Sequence, residues 1–255
     1  MKKLLGIISF GALLAGCGKV ITYSNDFASA AFVNAAPFVT PPATSPTINM
    51  RVFIDTIQKT SSNVTYTSSS GYLSVAPGTH SIQIRSSLDF LTILASAPGQ
   101  QFVSNTASTF FVYDTLDNVT GRAKLLRLKD TLSLPATGNI KVRFVPLAVN
   151  TPTVDVTFLR TSVTPNDSVT LYNYSYVSAN PSTTLIDRLS AFREIPLGAY
   201  TVKVKTANTQ TVLVSQALSL ANVAGTGNVT GINSIFITGT AKGQPLRVGL
   251  FRHYP

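Results

Sequence analysis

Apolar and polar residues alternate one by one through most of this chain, and a period of two leaves room for little besides β-strands. Thr201-Val202-Lys203-Val204-Lys205 alternates, as do Ser81-Ile82-Gln83-Ile84-Arg85 and Lys141-Val142-Arg143-Phe144-Val145. Such a segment buries one face of a sheet and wets the other. Turn residues separate the segments, reading Ala-Pro-Gly-Thr at 76–79, Pro-Ala-Thr-Gly at 135–138 and Pro-Leu-Gly-Ala at 196–199. Helical periodicity is scarce, and one short helical turn is expected around residues 182–189. Many short strands with closely spaced turns predict antiparallel β-sandwiches.

The chain also repeats itself. Ala31-Phe32-Val33-Asn34 is echoed by Arg143-Phe144-Val145-Pro146, and Pro46-Thr47-Ile48-Asn49-Met50 by Pro152-Thr153-Val154-Asp155-Val156. Gly78-Thr79-His80 is echoed by Gly198-Ala199-Tyr200, and Thr109-Phe110-Phe111-Val112-Tyr113 by Ser234-Ile235-Phe236-Ile237-Thr238. Continued without a gap, the last block sets Arg127 against Arg252. Four blocks in one order predict a tandem duplication. The expected fold is all-β, with two immunoglobulin-like antiparallel sandwiches at 28–134 and 139–255. The boundary at 135–139 is short, so the two are expected to stand end to end.

Ahead of the first strand, Lys2 and Lys3 precede an apolar run that ends in Leu14-Ala15-Gly16-Cys17, and Cys17 is the only cysteine. Basic residues, an apolar segment and small residues before the cut make a signal peptide over 1–16. The run is too short to span a bilayer of roughly 30 Å. A cysteine at the cleavage point accepts a diacylglycerol on its thiol, so Cys17 is the expected lipidation site and 17–27 the tether. Ten extended residues reach about 35 Å. Gly18 stands where an aspartate commonly retains lipoproteins in the inner membrane, and no acidic run follows. Similarity to that sorting rule implies the outer membrane, on its periplasmic face.

These residues together resemble a known family. An opening strand ending in Phe-Val, Pro152-Thr153-Val154-Asp155-Val156 and Pro196-Leu197-Gly198-Ala199-Tyr200-Thr201-Val202 are similar to the tandem immunoglobulin-like lipoproteins of Bacteroidetes-type bacteria built from DUF4397, a domain of unknown function. The second unit carries the fuller match. In the first, Asn49 replaces the aspartate, His80 replaces the tyrosine, and Pro41-Pro42-Ala43 lengthens a loop. The resemblance implies a fold and a compartment and no activity.

Charged residues make up only 12% of the chain, and the formal net charge of +10 is spread without a basic run. Nucleic-acid binding has neither a module nor a compartment to support it. Two histidines and ten scattered acids give no metal-ligand spacing, nucleophile elbow or phosphate cradle, so no catalytic residue, metal or cofactor is expected. Asp114, Asp117 and Asn118 match no calcium loop and read as a polar hairpin. Tyr172, Tyr174 and Tyr176 share one face if they lie in a regular strand, about 7 Å apart. That row either stacks against sugar rings, with Asn173 or Arg188 beside it, or packs against a neighbouring sheet. Asp-Ser/Thr-apolar triplets place candidate O-glycosylation at Thr56, Thr115, Thr131 and Ser168. The sequence therefore points to a membrane-anchored, non-enzymatic envelope protein of structural or interaction type whose partner is another envelope protein. The alternative is a glycan-binding accessory lipoprotein of a polysaccharide-uptake system.

Overall fold

The computed structural model describes residues 26–38, 48–115, 122–160, 167–220, 231–239 and 244–253. Within them the chain is an all-β sandwich protein with one short helix. In the first half, β1 (Ala28–Ala35), β4 (Ser69–Val75), β7 (Ala107–Tyr113) and β8 (Lys124–Asp130) form a sheet in the order β4-β1-β7-β8. Facing it, β2 (Met50–Ile54), β3 (Ile57–Gln58), β5 (Gly78–Ser86) and β6 (Ile93–Phe102) are ordered β3-β2-β5-β6. In the second half, β9 (Asn139–Pro146), β12 (Arg193–Pro196), β15 (Ile232–Thr238) and β16 (Arg247–Arg252) are ordered β12-β9-β15-β16. Their partner sheet runs β11-β10-β13-β14, from β10 (Val154–Arg160), β11 (Asp167–Tyr174), β13 (Ala199–Thr206) and β14 (Val212–Ser219). In each half the opening strand runs parallel to a late one, β1 with β7 and β9 with β15, while the other pairs are antiparallel.

The helix, α1 (Thr183–Ser190), lies where a helical turn was expected. Ser182 caps it by accepting a hydrogen bond from the Leu185 backbone amide at 3.2 Å. Tyr200 alternates into the core and donates its hydroxyl to the Pro196 carbonyl.

Three large apolar clusters and a small fourth one, Ala107, Leu132 and Ile232, hold the described residues together. Phe32, Val52, Ile82, Ile84, Phe102 and Phe110 fill the first half. Phe144, Val156, Phe158, Val202, Val204 and Ile235 fill the second. A third belongs to both: Val33, Phe111 and Leu128 meet Val145, Leu189, Phe236 and Phe251. The halves therefore do not stand end to end. Their β1- and β9-containing sheets lie face to face, giving four stacked sheets. The cause is visible in the strands themselves. Every residue of β7 and of β15 is buried, because Phe110-Phe111-Val112-Tyr113 and Ile235-Phe236-Ile237 are apolar on both faces. Continuous apolar strands need cover on both sides, and burying one phenylalanine side chain is favourable by about 1.5–3 kcal/mol.

The ungapped alignment of the closing strands also shifts. Phe110 pairs with Arg127, but its counterpart Ile235 pairs with Leu250, so Leu250 and not Arg252 stands in the place of Arg127. The stretch between β15 and β16 is two residues shorter than that between β7 and β8. A slip of two preserves which face each side chain takes, so the core pattern survives it.

Gly249 sits opposite Phe236 in the β15–β16 pair, and a Cβ there would fall 2.1 Å from the Phe236 ring. The ring has little room to give, being fully buried and edge-on to Phe111 at 5.7 Å. Gly249→Ala is expected to destabilise the protein by about 1–3 kcal/mol through overpacking. Urea unfolding of the two proteins measures it, and an unchanged midpoint would mean a loosely packed seam.

Candidate functional site

Inside the seam, polar side chains from both halves close a ring. Arg143 on β9 donates from Nε to Ser234 Oγ at 2.6 Å. Ser234 Oγ lies 2.7 Å from His253 Nε2, and His253 Nδ1 lies 2.6 Å from Tyr72 Oη. Tyr72 donates to Asp130 Oδ2 at 2.7 Å, and Asp130 Oδ1 meets Arg143 Nη2 at 2.7 Å. With the proton on His253 Nδ1, each of the four hydrogen bonds has one donor and one acceptor, which assigns the tautomer from the network, and the Asp130–Arg143 ion pair closes the ring. Thr109 adds a bond to Asp130 Oδ2 at 2.7 Å, and Arg143 Nη1 donates to the Lys129 carbonyl at 3.1 Å. Phe192 covers the ring, its centroid 4.6 Å from the Arg143 guanidinium carbon and its plane edge-on to His253.

The ring is sealed. The side chains of Asp130 and His253 are 0% exposed and that of Arg143 1%, so no substrate reaches them. Burial, followed by the Arg143 charge, holds the His253 imidazole well below its usual range, so it is neutral. Burial, followed by the charge of Asp130, pushes the Tyr72 hydroxyl far up, so it stays a donor. A buried ion pair adds little net stability over an apolar substitute, but losing one partner costs about 3–5 kcal/mol. The ring thus penalises any other way of joining the halves.

Tyr172, Tyr174 and Tyr176 do not form one face. Asn173 has a positive φ of 60°, and Tyr172 and Asn173 together oppose the single residue Asp155 on β10. This bulge reverses the alternation. Asp155 fixes it by accepting the Asn173 amide at 2.8 Å, and its other oxygen accepts the Asn208 amide at 3.0 Å. Tyr172 consequently faces solvent at 61% exposure, whereas Tyr174 packs edge-on to Phe144 at 5.3 Å. Arg188 of α1 lies over the Tyr174 ring and donates to the carbonyls of Tyr172 and Asn173. Tyr176 lies beyond the strand, in the seam. Its hydroxyl donates to Asp114 Oδ2 at 2.6 Å and accepts from Lys124 Nζ at 3.0 Å.

Of the candidate O-glycosylation positions, Thr56, Thr131 and Ser168 are exposed and Thr115 is half-buried. Each preceding aspartate has a basic side chain in contact: Asp55 with His80, Asp114 with Lys124, Asp130 with Arg143 and Asp167 with Arg160. The recurring triplet therefore has a structural use, an acid at a strand end that ties down a neighbour. Cys17, Asp117 and Asn118 lie outside the described residues. Among the described residues no cluster of three metal-ligating side chains occurs.

The ring is not legible in the sequence, because its members lie far apart along the chain. One signal was available. In the repeat, Arg143 takes the place of Ala31, and β1 and β9 present these two residues to Thr109 and Ser234 at matching positions. A charge that replaces a buried alanine must find a counter-charge.

A family model described as a domain of unknown function (DUF4397) matches residues 30–157. The match takes in the first half and crosses into β10, rather than centring on the second half as the motifs implied. No curated protein matches the chain.

The neutral His253 makes stability depend on pH. Its unfolded-state counterpart binds a proton below about pH 6.5, while the folded form does not. The contribution is therefore complete above about pH 6.5 and is lost as pH falls toward the folded value, at up to about 1.4 kcal/mol per pH unit. Urea unfolding between roughly pH 7 and pH 5 should show this slope, and His253→Asn should flatten it. An equal slope in both proteins would contradict the neutral assignment.

Proposed function

The chain belongs to the DUF4397 family, whose function is unknown, so its role is argued from its own residues, and we propose that it is a lipid-anchored, non-enzymatic interaction protein of the cell envelope. The observation that carries this reading is the lone cysteine at the end of Leu14-Ala15-Gly16-Cys17, behind Lys2 and Lys3. A thioether-linked diacylglycerol plus an amide-linked chain gives more than the two acyl signals that stable anchoring needs. Gly18 in the following position favours the outer membrane, and the absence of an acidic run in 18–26 favours its periplasmic face.

The folded part is suited to display. Val75 pairs with Ala28 beside the tether, and β5 then runs nine residues away, about 30 Å. At its far end the turn to β6 holds Leu88 and Leu91 out at 69% and 77% exposure. Asp89 stiffens this turn by accepting from the amides of Leu91 and Thr92 and from the Thr92 hydroxyl. Exposed apolar side chains on a rigid turn, at the pole opposite the anchor, fit a partner approaching from the envelope interior. A glycan-binding role rests on Tyr172, the one exposed member of its row.

Cys17→Ser is expected to abolish acylation. Growth with an alkyne fatty acid, followed by click labelling of the purified protein, should mark the wild type alone. Equal labelling of the variant would remove the anchor from the account.

A further inference from the structure

Helix α1 lies across β8, and between them and the β6 edge is a cavity of about 190 Å³. Its walls are mostly apolar, from Ala97, Leu125, Leu126, Pro181 and Ile186, and Arg127 is the one charged side chain lining it. Arg127 is half-buried and stacks on two rings, with its guanidinium carbon 4.8 Å from the Phe102 centroid and 5.3 Å from that of Phe110. Its Nη1 donates to the Gln101 carbonyl at 2.7 Å and its Nε to Ser108 Oγ at 3.2 Å. Both partners are neutral. Among the described residues Arg127 has no carboxylate partner and its Nη2 has no protein acceptor, whereas the other seam cations, Lys124 and Arg143, each hold an acid. Burial draws the Arg127 pKa down with no opposing charge to restore it; an arginine nonetheless keeps its proton at neutral pH.

We propose that this cavity binds a monocarboxylate borne on a compact apolar group, with the carboxylate on Arg127 and the apolar group against Leu125, Pro181 and Ile186. One cation matches one negative charge, so a phosphate dianion would leave charge unpaired beside apolar walls. A space of about 190 Å³ between apolar walls suits a branched aliphatic group. A guanidinium already held in place by two bonds and two rings loses little freedom when it takes a ligand. Pro181 and Ile186 come from the second half and the remaining walls from the first, so the site exists only when the seam is formed.

The same chemistry is offered by a free short-chain acid and by the C-terminus of a partner chain ending in a leucine-like residue. The test is NMR titration of the full chain in maltoside micelles, following the Arg127 Nε–Hε resonance. The probes are isocaproate, its neutral amide, and acetyl-alanyl-leucine with a free or an amidated C-terminus. Isocaproate should bind with a Kd on the order of millimolar, and the amide at least about tenfold more weakly. Binding of isocaproate alone assigns the site to free acids, and binding of the free-acid peptide as well extends it to chain termini. Arg127→Met, followed through the Ile186 methyl resonances that report the same cavity in the wild type, should abolish binding. So should Ile186→Trp, which fills the cavity without touching the cation and keeps the test valid if Arg127→Met fails to fold. No movement of the Arg127 resonance, equal affinity for acid and amide, or undiminished binding by Ile186→Trp would each overturn the proposal.

Discussion

Strands that are apolar on both faces cannot sit at the surface of a sandwich, and β1, β7 and β15 are largely such strands, while β9 between β12 and β15 is buried on both faces from Val142 onward and carries Arg143 into the second face. Each belongs to the sheet that would be the outer layer of its half if that half stood alone. Setting those two sheets against each other removes Phe111, Phe236 and Phe251 from water in one contact. The relative orientation of the halves, the enclosure of the Arg143–Asp130 pair and the cavity beside Arg127 all follow from it.

The apolar contact is permissive about register, and the polar ring within it is not. Hydrophobic area is non-directional, so sheets could slide over one another at modest cost. An Arg143–Asp130 pair at 2.7 Å, extended through Ser234, His253 and Tyr72, is satisfied in only one placement. Tyr113 donating to the Ser178 carbonyl and Tyr66 bonding to Thr238 add further ties between the halves. These contacts are not duplicated symmetrically. Ala31 in one half stands at the position of Arg143 in the other, so the joint is asymmetric although the sheets of the two halves share a strand order.

Strand existence and the single helix were legible because alternation, turn residues and the Ser182 cap are local signals. The seam was only half legible. Phe110-Phe111-Val112 breaks the alternation seen elsewhere and marks a doubly buried strand, but nothing local says what covers the second face. The tyrosine row misled because a bulge at Asn173 depends on a carboxylate from another strand, Asp155, which a period-two reading cannot anticipate. Arg127 is a similar case: that no carboxylate among the described residues meets it is a property of what surrounds it in space.

If the doubly buried sheets weld the halves together, the folded protein unfolds as one unit. Differential scanning calorimetry of the full chain in maltoside micelles tests this directly. A single transition with equal calorimetric and van't Hoff enthalpies is expected. Two separated transitions, each accounting for about half of the total enthalpy, would show that the halves are independent and that the seam is a minor contact.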